Sequence, residues 1–189
     1  KTENHKVTVF TFKLEVTKYG KTDSGKEALN GAGFTLYKAT EGNPTDSDYT
    51  KVGEEVKNLN SNVFDFTGLD SGYYKIVETT TPKGYNTIDP ITFTVTATYD
   101  SNNEPGTLSE LAVSNVKIGG VASSDQTFTT NVATGEAGAA QIKTDVVDTP
   151  GSKLPSTGGM GTVLLYVAGI AVFVLAGATL VMALRRRNA

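Results

Sequence analysis

The 189-residue sequence predicts an all-β sandwich followed by a single membrane-spanning helix at the C-terminus. Several stretches alternate apolar and polar residues with a period of two, which is typical of strands that are buried on one face. The 20 glycines and 6 prolines favour many short strands joined by turns over a helical bundle. Residues 163–184 form an uncharged apolar run, and crossing the hydrocarbon core of a membrane takes about 20 such residues.

The predicted strands follow one another between turn signals. The first strand, residues 10–16, alternates phenylalanine, leucine and valine with polar residues, and turn signals fill the stretch from residue 20 to residue 33. The later strands are 34–38, 63–66, 73–78, 91–97, 113–118, 126–130 and 142–148, separated by stretches rich in Gly, Asn, Asp, Pro and Ser. Seven to nine strands at this spacing predict a β-sandwich.

The sequence also predicts how the chain is divided. We expect residues 1–9 to link to, or end, a preceding domain, 10–149 to form the sandwich, 150–162 to be a tether, 163–184 to be the transmembrane helix and 185–189 to be an arginine-rich cytoplasmic tail. Because the tail is positively charged, the part before residue 163 is expected outside the membrane. The start at Lys1, without Met or a signal peptide, predicts a fragment or a processed chain of a longer precursor.

The composition excludes several classes of chemistry. The sequence has no cysteine, which rules out disulfides, thiolate metal sites and cysteine nucleophiles, and its one histidine, His5, is too few for a histidine-based site. Residues 1–157 hold 14 lysines against 20 acidic residues, so no clustered basic face is available for nucleic acid. We therefore expect no cofactor, no metal and no nucleic-acid partner.

Three strands continue their apolar face into an ionisable residue. Lys18, Glu78 and Asp148 are each the next residue in phase after an apolar run. Because alternate residues of a strand face the same side, these three lie in the core or at its rim unless each strand ends in solvent there. A buried amine and a buried carboxyl both tend toward their neutral forms. An amide between Lys18 and Asp148, with Glu78 shuttling protons, would remove both charges with the loss of one water.

Two stretches resemble the Cna B-type domain of Gram-positive pilins and adhesins. Residues 29–37, LNGAGFTLY, with Lys18 before them resemble the opening of that domain, and residues 72–85, GYYKIVETTTPKGY, resemble the pilin E-box. The resemblance covers residues 10–184 and implies an Ig-like, prealbumin-like sandwich. It implies an intramolecular isopeptide bond between Lys18 and Asp148, with Glu78 as the catalyst. Family members more often carry Asn at the acceptor position, and Asn131 and Asp145 are the weaker candidates for it.

A second motif precedes the apolar run. Leu154, Pro155, Ser156, Thr157 and Gly158 resemble the LPxTG signal that sortases read, and the order of motif, apolar helix and arginine tail is specific to such signals. The resemblance implies cleavage between Thr157 and Gly158. It also implies transfer of the Thr157 carbonyl to an amine of a peptidoglycan precursor or of a neighbouring pilin subunit. The implied partners are therefore sortase, that acceptor and, before processing, the membrane through residues 163–184.

Together these features predict a structural, non-enzymatic protein of the cell surface, a pilus (fimbrial) subunit anchored to the cell wall at LPSTG. Two alternatives remain open: a non-polymerised adhesin that binds host matrix or glycans, and the stalk of a wall-anchored enzyme. The YPKN-type motif that supplies the polymerising lysine of pilins is absent from these residues. A host surface ligand is a partner only under the adhesin alternative.

Overall fold

The computed structural model describes residues 9–100, 102, 106–132 and 140–151. These residues lie in one compact unit, Lys1–Gly151, and form the predicted all-β sandwich. In chain order the described strands are β1 (Phe12–Thr22), β2 (Gly25–Ala28), β3 (Gly33–Ala39), β4 (Thr50–Lys57), β5 (Val63–Leu69), β6 (Gly72–Thr80), β7 (Ile91–Asp100), β8 (Thr107–Ile118), β9 (Val121–Ala122), β10 (Phe128–Asn131) and β11 (Gln141–Asp148). A 3-10 turn, Asp46–Asp48, lies between β3 and β4.

The described strands form two sheets. The first sheet has the order β10-β11-β1-β2. The strand β5 also belongs to it: β5 pairs with residues 12–17 of β1, and β2 pairs with residues 19–22. The second sheet has the order β4-β3-β6-β7-β8-β9 and is antiparallel throughout. Among the pairs described, β1 and β11 alone run parallel, so the first and last strands are direct neighbours.

The core lies between the two sheets and is built from the alternating apolar positions. Phe34 of β3 and Phe64 of β5 meet edge to face across the sheets, with their ring centres 4.9 Å apart. Such aromatic pairs add stabilisation beyond the area that they bury. The other large buried side chains are Phe12, Leu14 and Val16 of β1, Leu36 of β3, Phe66 and Leu69 of β5, Tyr74 and Ile76 of β6, Ile91, Phe93 and Val95 of β7, Leu111 of β8, and Ile142 and Val146 of β11.

A polar network on the outer face fixes the register of the parallel pair. Glu15 of β1 lies opposite Lys143 of β11 and accepts a hydrogen bond of 2.9 Å from its ammonium group. The second oxygen of Glu15 accepts a hydrogen bond of 2.9 Å from the Gln141 amide. Since a slip by one residue would separate these partners and turn the apolar side chains outward, both faces specify the same alignment.

The prediction of seven to nine strands was too low, because the described residues hold eleven. The strands that the sequence pattern missed, β2, β4 and β9, lie on sheet edges and bury no side chain fully. In β4 the alternation is also broken at Gly53, whose φ of 70° belongs to the left-handed region that glycine adopts without strain. The stretch 20–33, predicted as turns, contains the end of β1 and all of β2.

The predicted membrane helix, residues 163–184, lies outside the described residues. Within the part of the chain that the structure describes, no helix is long and apolar enough to cross a membrane. The domain boundaries at residues 9, 149, 162 and 184 stay a prediction.

Candidate crosslinking site

Lys18, Glu78 and Asp148 meet in the core. The exposed fraction is 0% for Lys18, 4% for Glu78 and 0% for Asp148. The ammonium nitrogen of Lys18 contacts Oδ1 of Asp148 and lies 3.2 Å from Oε1 of Glu78. The structure therefore brings together the three residues that the strand phase singled out.

The parallel pairing of β1 and β11 places Lys18 and Asp148 next to each other. Lys18 lies opposite Val146, and Asp148, two positions further along, lies opposite Gly20. Lys18 and Asp148 are thus diagonal neighbours on the same inner face, within reach of a long side chain. Glu78 reaches them from β6 in the opposite sheet, so the site spans the sandwich.

Both backbone polar groups of Lys18 form hydrogen bonds. Its N–H donates to the carbonyl of Asn62 at 2.7 Å. Its carbonyl accepts from the Asn62 side-chain amide at 2.9 Å and from the Leu29 N–H at 3.1 Å. The ammonium nitrogen lies 5.5 Å from the centre of the Phe34 ring, on the core side. The direction of the lysine side chain is therefore fixed by neighbours on three different segments.

The Glu78 carboxyl is oriented by a loop that follows β6. Its Oε2 accepts a hydrogen bond of 3.1 Å from the backbone N–H of Ile88, which leaves Oε1 facing Lys18. Burial raises the pKa of Glu78, while the Lys18 charge and the Ile88 N–H lower it and Asp148 raises it further; the net direction is upward. Glu78 is therefore more readily protonated than a glutamic acid in water, as a proton shuttle requires.

The carboxylate oxygens at this site are incompletely hydrogen bonded. Among the described residues, neither Glu78 Oε1 nor Asp148 Oδ2 has a hydrogen-bond partner, although both atoms are buried. Glu78 Oε1 forms an ion pair with the Lys18 nitrogen, 3.2 Å away. Burying an unsatisfied polar atom costs about 1–3 kcal/mol, and more when the group is charged. Condensing the amine with a carboxyl would relieve part of this cost.

The two alternative acceptors lie away from the core. Asp145 is exposed on the outer face, where it forms an ion pair of 2.6 Å with Lys26. Asn131 is exposed on β10, which pairs with β11 and not with β1. Neither side chain contacts Lys18, so the geometry leaves Asp148 as the acceptor within reach.

Comparison with known families covers both ends of the chain. Residues 13–105 match the SpaA family model, described as a prealbumin-like fold domain. Residues 147–189 match the model described as the LPXTG cell wall anchor motif. This chain is an LPXTG-anchored surface protein with a SpaA-type domain. No curated protein matches it.

Several solved structures resemble this SpaA-type protein. The C-terminal fragment of the pilus adhesin SpaC from Lactobacillus rhamnosus GG is 18% identical over 77% of this chain and 47% of that one, with a TM-score of 0.43. A variant of BcpA, the major pilin subunit of Bacillus cereus, is 19% identical over 73% of this chain and 28% of that one, with a TM-score of 0.41. The pilus adhesin RrgA from Streptococcus pneumoniae is 19% identical over 75% and 15%, with a TM-score of 0.42. The SpaA-type protein spans less than half the length of each.

The sorting motif of this SpaA-type protein, Leu154 to Gly158, lies outside the described residues. Within those residues, no group of three or more acidic or histidine side chains has the arrangement of a metal site. Sequence reasoning missed the loop that orients Glu78, because its contribution is the backbone N–H of Ile88. A backbone donor leaves no signal in residue type, and only the Pro82-Lys83-Gly84 turn marks where the chain folds back.

Proposed function

We propose that this surface protein is a pilus subunit whose SpaA-type domain is closed by an autocatalytic amide bond between Lys18 and Asp148. The observation that supports the crosslink best is the buried contact between the Lys18 nitrogen and the Asp148 carboxyl. The same nitrogen lies 3.2 Å from Oε1 of Glu78. A full ion pair in this setting is costly, because each charge loses its hydration and the carboxylates are incompletely hydrogen bonded. The amide is neutral and needs no counter-charge.

The proposed reaction starts from the neutral pair. In the low-dielectric core, a proton passes from the Lys18 ammonium to the Asp148 carboxylate, which leaves an amine facing a carboxylic acid. The amine lone pair attacks Cγ of Asp148, and the carbonyl electrons move onto oxygen. Glu78 accepts a proton from the lysine nitrogen and donates one to the departing hydroxyl. The C–N bond forms, the C–O bond breaks, one water leaves and Glu78 regains its starting state.

A cavity beside the site supports a route for the water. It has a volume of about 290 Å³ and is lined by Ile88, which binds Glu78, and by Val147 and Thr149, which flank Asp148 in the chain. The other lining residues include Ile91, Gln126 and Val146. Although Lys18, Glu78 and Asp148 do not line this cavity, it lies beside their neighbours, and we infer that the water leaves toward it.

The anchor supplies the second part of the proposal. Sortase cleaves between Thr157 and Gly158 and transfers the Thr157 carbonyl to an amine of a peptidoglycan precursor or of a neighbouring subunit. Pulling force from that junction enters the domain through β11, and the amide passes it from Asp148 to Lys18 on β1. Strands that do not lie on this covalent path from Asp148 to Lys18 then carry no pulling force and are not extended. The proposed crosslink forms once per molecule, so the proposed role is structural rather than that of an enzyme with turnover.

Intact-mass spectrometry tests the crosslink. The folded chain should be lighter than its sequence by one water, and the Asp148→Asn variant should instead lose one ammonia, since a carboxamide acceptor releases ammonia. A folded wild-type chain of full mass refutes the crosslink. A loss of ammonia from the wild-type chain would move the acceptor to an asparagine such as Asn131.

The pilus role has its own test. Cells that carry the protein and its sortase should show a ladder of covalent multimers after boiling in detergent. If the protein appears only as wall-linked single copies, it is a non-polymerised surface protein and the pilus assignment is wrong. The crosslink and the pilus role can therefore fail separately.

A further inference from the structure

The residues that follow Glu78 in the chain return to the site and contact all three strands that carry it. We propose that residues 84–88 form a positioning clamp, which holds the Asp148 end of β11 and the Glu78 carboxyl in one arrangement and so sets the rate of crosslinking. This inference rests on the proposed crosslink between Lys18 and Asp148. The positioning residues are Tyr85, Asn86 and Ile88.

One end of the clamp binds the chain directly after Asp148. The Asn86 N–H donates to the Thr149 carbonyl, and the Gly151 N–H donates to the Gly84 carbonyl, each at 2.9 Å. These two bonds flank an antiparallel bridge between Tyr85 and Pro150. The Asn86 side-chain amide adds donations of 3.4 Å to Thr149 Oγ1 and to the Pro150 carbonyl.

These bonds matter because Asp148 is the last residue of its strand. The ends of elements open most readily, since fewer contacts hold them. The pairing of β11 with β1 ends at Asp148, and the clamp forms the backbone hydrogen bonds that hold the residues just after it. A reaction between two side chains requires the attacking atom near 3 Å from its target and well aligned. Fraying at Thr149 would disturb that alignment directly.

The other end of the clamp binds the proton shuttle. The Ile88 N–H holds Glu78 Oε2 at 3.1 Å, so the opposite oxygen faces the lysine. Because Asn86 and Ile88 are two residues apart, the same short segment fixes the Asp148 backbone and the Glu78 carboxyl relative to each other. Neither contact involves the atoms that react, so these are positioning residues and not catalytic ones.

The middle of the clamp packs on β1. The Tyr85 ring lies against Gly20, which is opposite Asp148 and two residues after Lys18. A Cβ at Gly20 would lie 2.6 Å from a carbon of that ring, so any larger residue would push Tyr85 away. Glycine at this position is therefore required by the close approach of the clamp. Tyr85, Asn86 and Ile88 thus couple β1, β11 and β6 at the site.

The test follows the rate of crosslinking in the full 189-residue chain. The chain is made by cell-free synthesis in detergent, synthesis is stopped, and samples quenched in acid at intervals are weighed by mass spectrometry. Asn86→Ala, Tyr85→Ala and Gly20→Ala should each slow the loss of one water by about tenfold or more, since small misplacements of reacting groups have effects of this size. Tyr85→Phe keeps the ring and should react at the wild-type rate.

The control separates positioning from general destabilisation. Thr45→Ala removes side-chain hydrogen bonds to Ser47 and Asp48 in an exposed turn on the β3–β4 connection. It should leave the rate unchanged even where it lowers the melting temperature as much as Asn86→Ala does. Equal slowing by Thr45→Ala, or wild-type rates in Asn86→Ala and Gly20→Ala, would overturn the clamp while the crosslink stands. A folded wild-type chain of full mass at all times would overturn the crosslink and the clamp together.

Discussion

Lys18 and Asp148 are 130 positions apart in the sequence, and their side chains touch in the core. They meet because the first and last strands of the domain are parallel neighbours, with Asp148 two positions beyond the residue opposite Lys18. A covalent bond between them would close nearly the whole domain into one loop. This single relationship governs the stability, the pH dependence and the load path expected of the protein.

Replacing Glu78, the proposed proton shuttle, should leave the domain folded but without the crosslink. In Glu78→Gln the amide still accepts the Ile88 N–H, yet it no longer exchanges protons, so the chain should keep its full mass. Losing the constraint on the unfolded chain should lower the free energy of unfolding by roughly 4–5 kcal/mol in the loop-entropy model. Mass spectrometry and urea unfolding measure the two effects.

A neighbouring glutamate provides the matched control. Glu55 accepts hydrogen bonds from Thr79 and Thr80 at the end of the same strand, away from Lys18. Glu55→Gln should still lose one water. If Glu78→Gln also loses one water at the wild-type rate, Glu78 does not act in the reaction.

Removing the amine should make stability depend on pH. Lys18→Met leaves Glu78 and Asp148 buried together without a cation, and it removes an attraction that lowers the pKa of Glu78. A carboxyl whose folded pKa is raised stabilises the native state below its unfolded pKa, near 4.5, and this contribution is lost as pH rises through the folded pKa. The melting temperature should therefore fall from about pH 4 to about pH 8.

The double variant Lys18→Met with Glu78→Gln separates this effect from simple loss of the crosslink. It also lacks the amide and no longer carries the Glu78 carboxyl, whose pKa is raised, so its melting temperature should vary less over the same range. The same pH dependence in both chains would show that Glu78 is not the titrating group.

The outer-face carboxyl of Glu15 should respond to pH in the opposite direction. The hydrogen bond from Lys143 lowers the pKa of Glu15, and Lys13 adds to this, against a rise from partial burial. Its stabilisation is present above the unfolded pKa near 4.5 and is lost as pH falls through the folded pKa. Lys143→Met, made in the Glu78→Gln chain, should cost about 1 kcal/mol or less at neutral pH.

Urea unfolding at neutral and acid pH measures this loss, which should vanish at acid pH. Lys51→Met, which removes an ion pair with the exposed Glu54, serves as the control and should change nothing measurable. An Lys143→Met effect that is as large at acid pH as at neutral pH would assign the loss to packing.

The sorting motif should govern where the protein ends up. Thr157→Ala removes the residue whose carbonyl sortase is proposed to transfer, so the protein should accumulate in the membrane and medium fractions. Cell fractionation followed by digestion of the wall measures this distribution. Ser156→Ala changes the variable position of the motif and should be anchored normally. A Thr157→Ala protein still linked to peptidoglycan or to a pilus would refute the proposed cleavage site.

Local sequence patterns are enough to predict the fold class and the inner face of each main strand. A period of two is a local property of the backbone, so the positions of Phe12, Leu14 and Val16 also gave the direction of Lys18. The same reasoning put Glu78 and Asp148 inward, and burial confirms the direction of all three. The LPSTG motif, the apolar run and the arginine tail follow one another in the chain, so they too are recognised locally. The match to the cell wall anchor model confirms this motif.

The neighbours of each strand cannot be predicted from local patterns, because strand pairing depends on long-range contacts. The pairing of β1 with β11, the placement of β2 and β4 at exposed edges and the return of residues 84–88 to the site are contacts between distant segments. Edge strands such as β4 bury too little to impose an alternating pattern. Part of the clamp consists of backbone groups of Gly84, Asn86 and Ile88, and such groups leave no signal in residue type. Local periodicity predicts which face of the sheet a side chain lies on, whereas its contacts on that face depend on long-range packing.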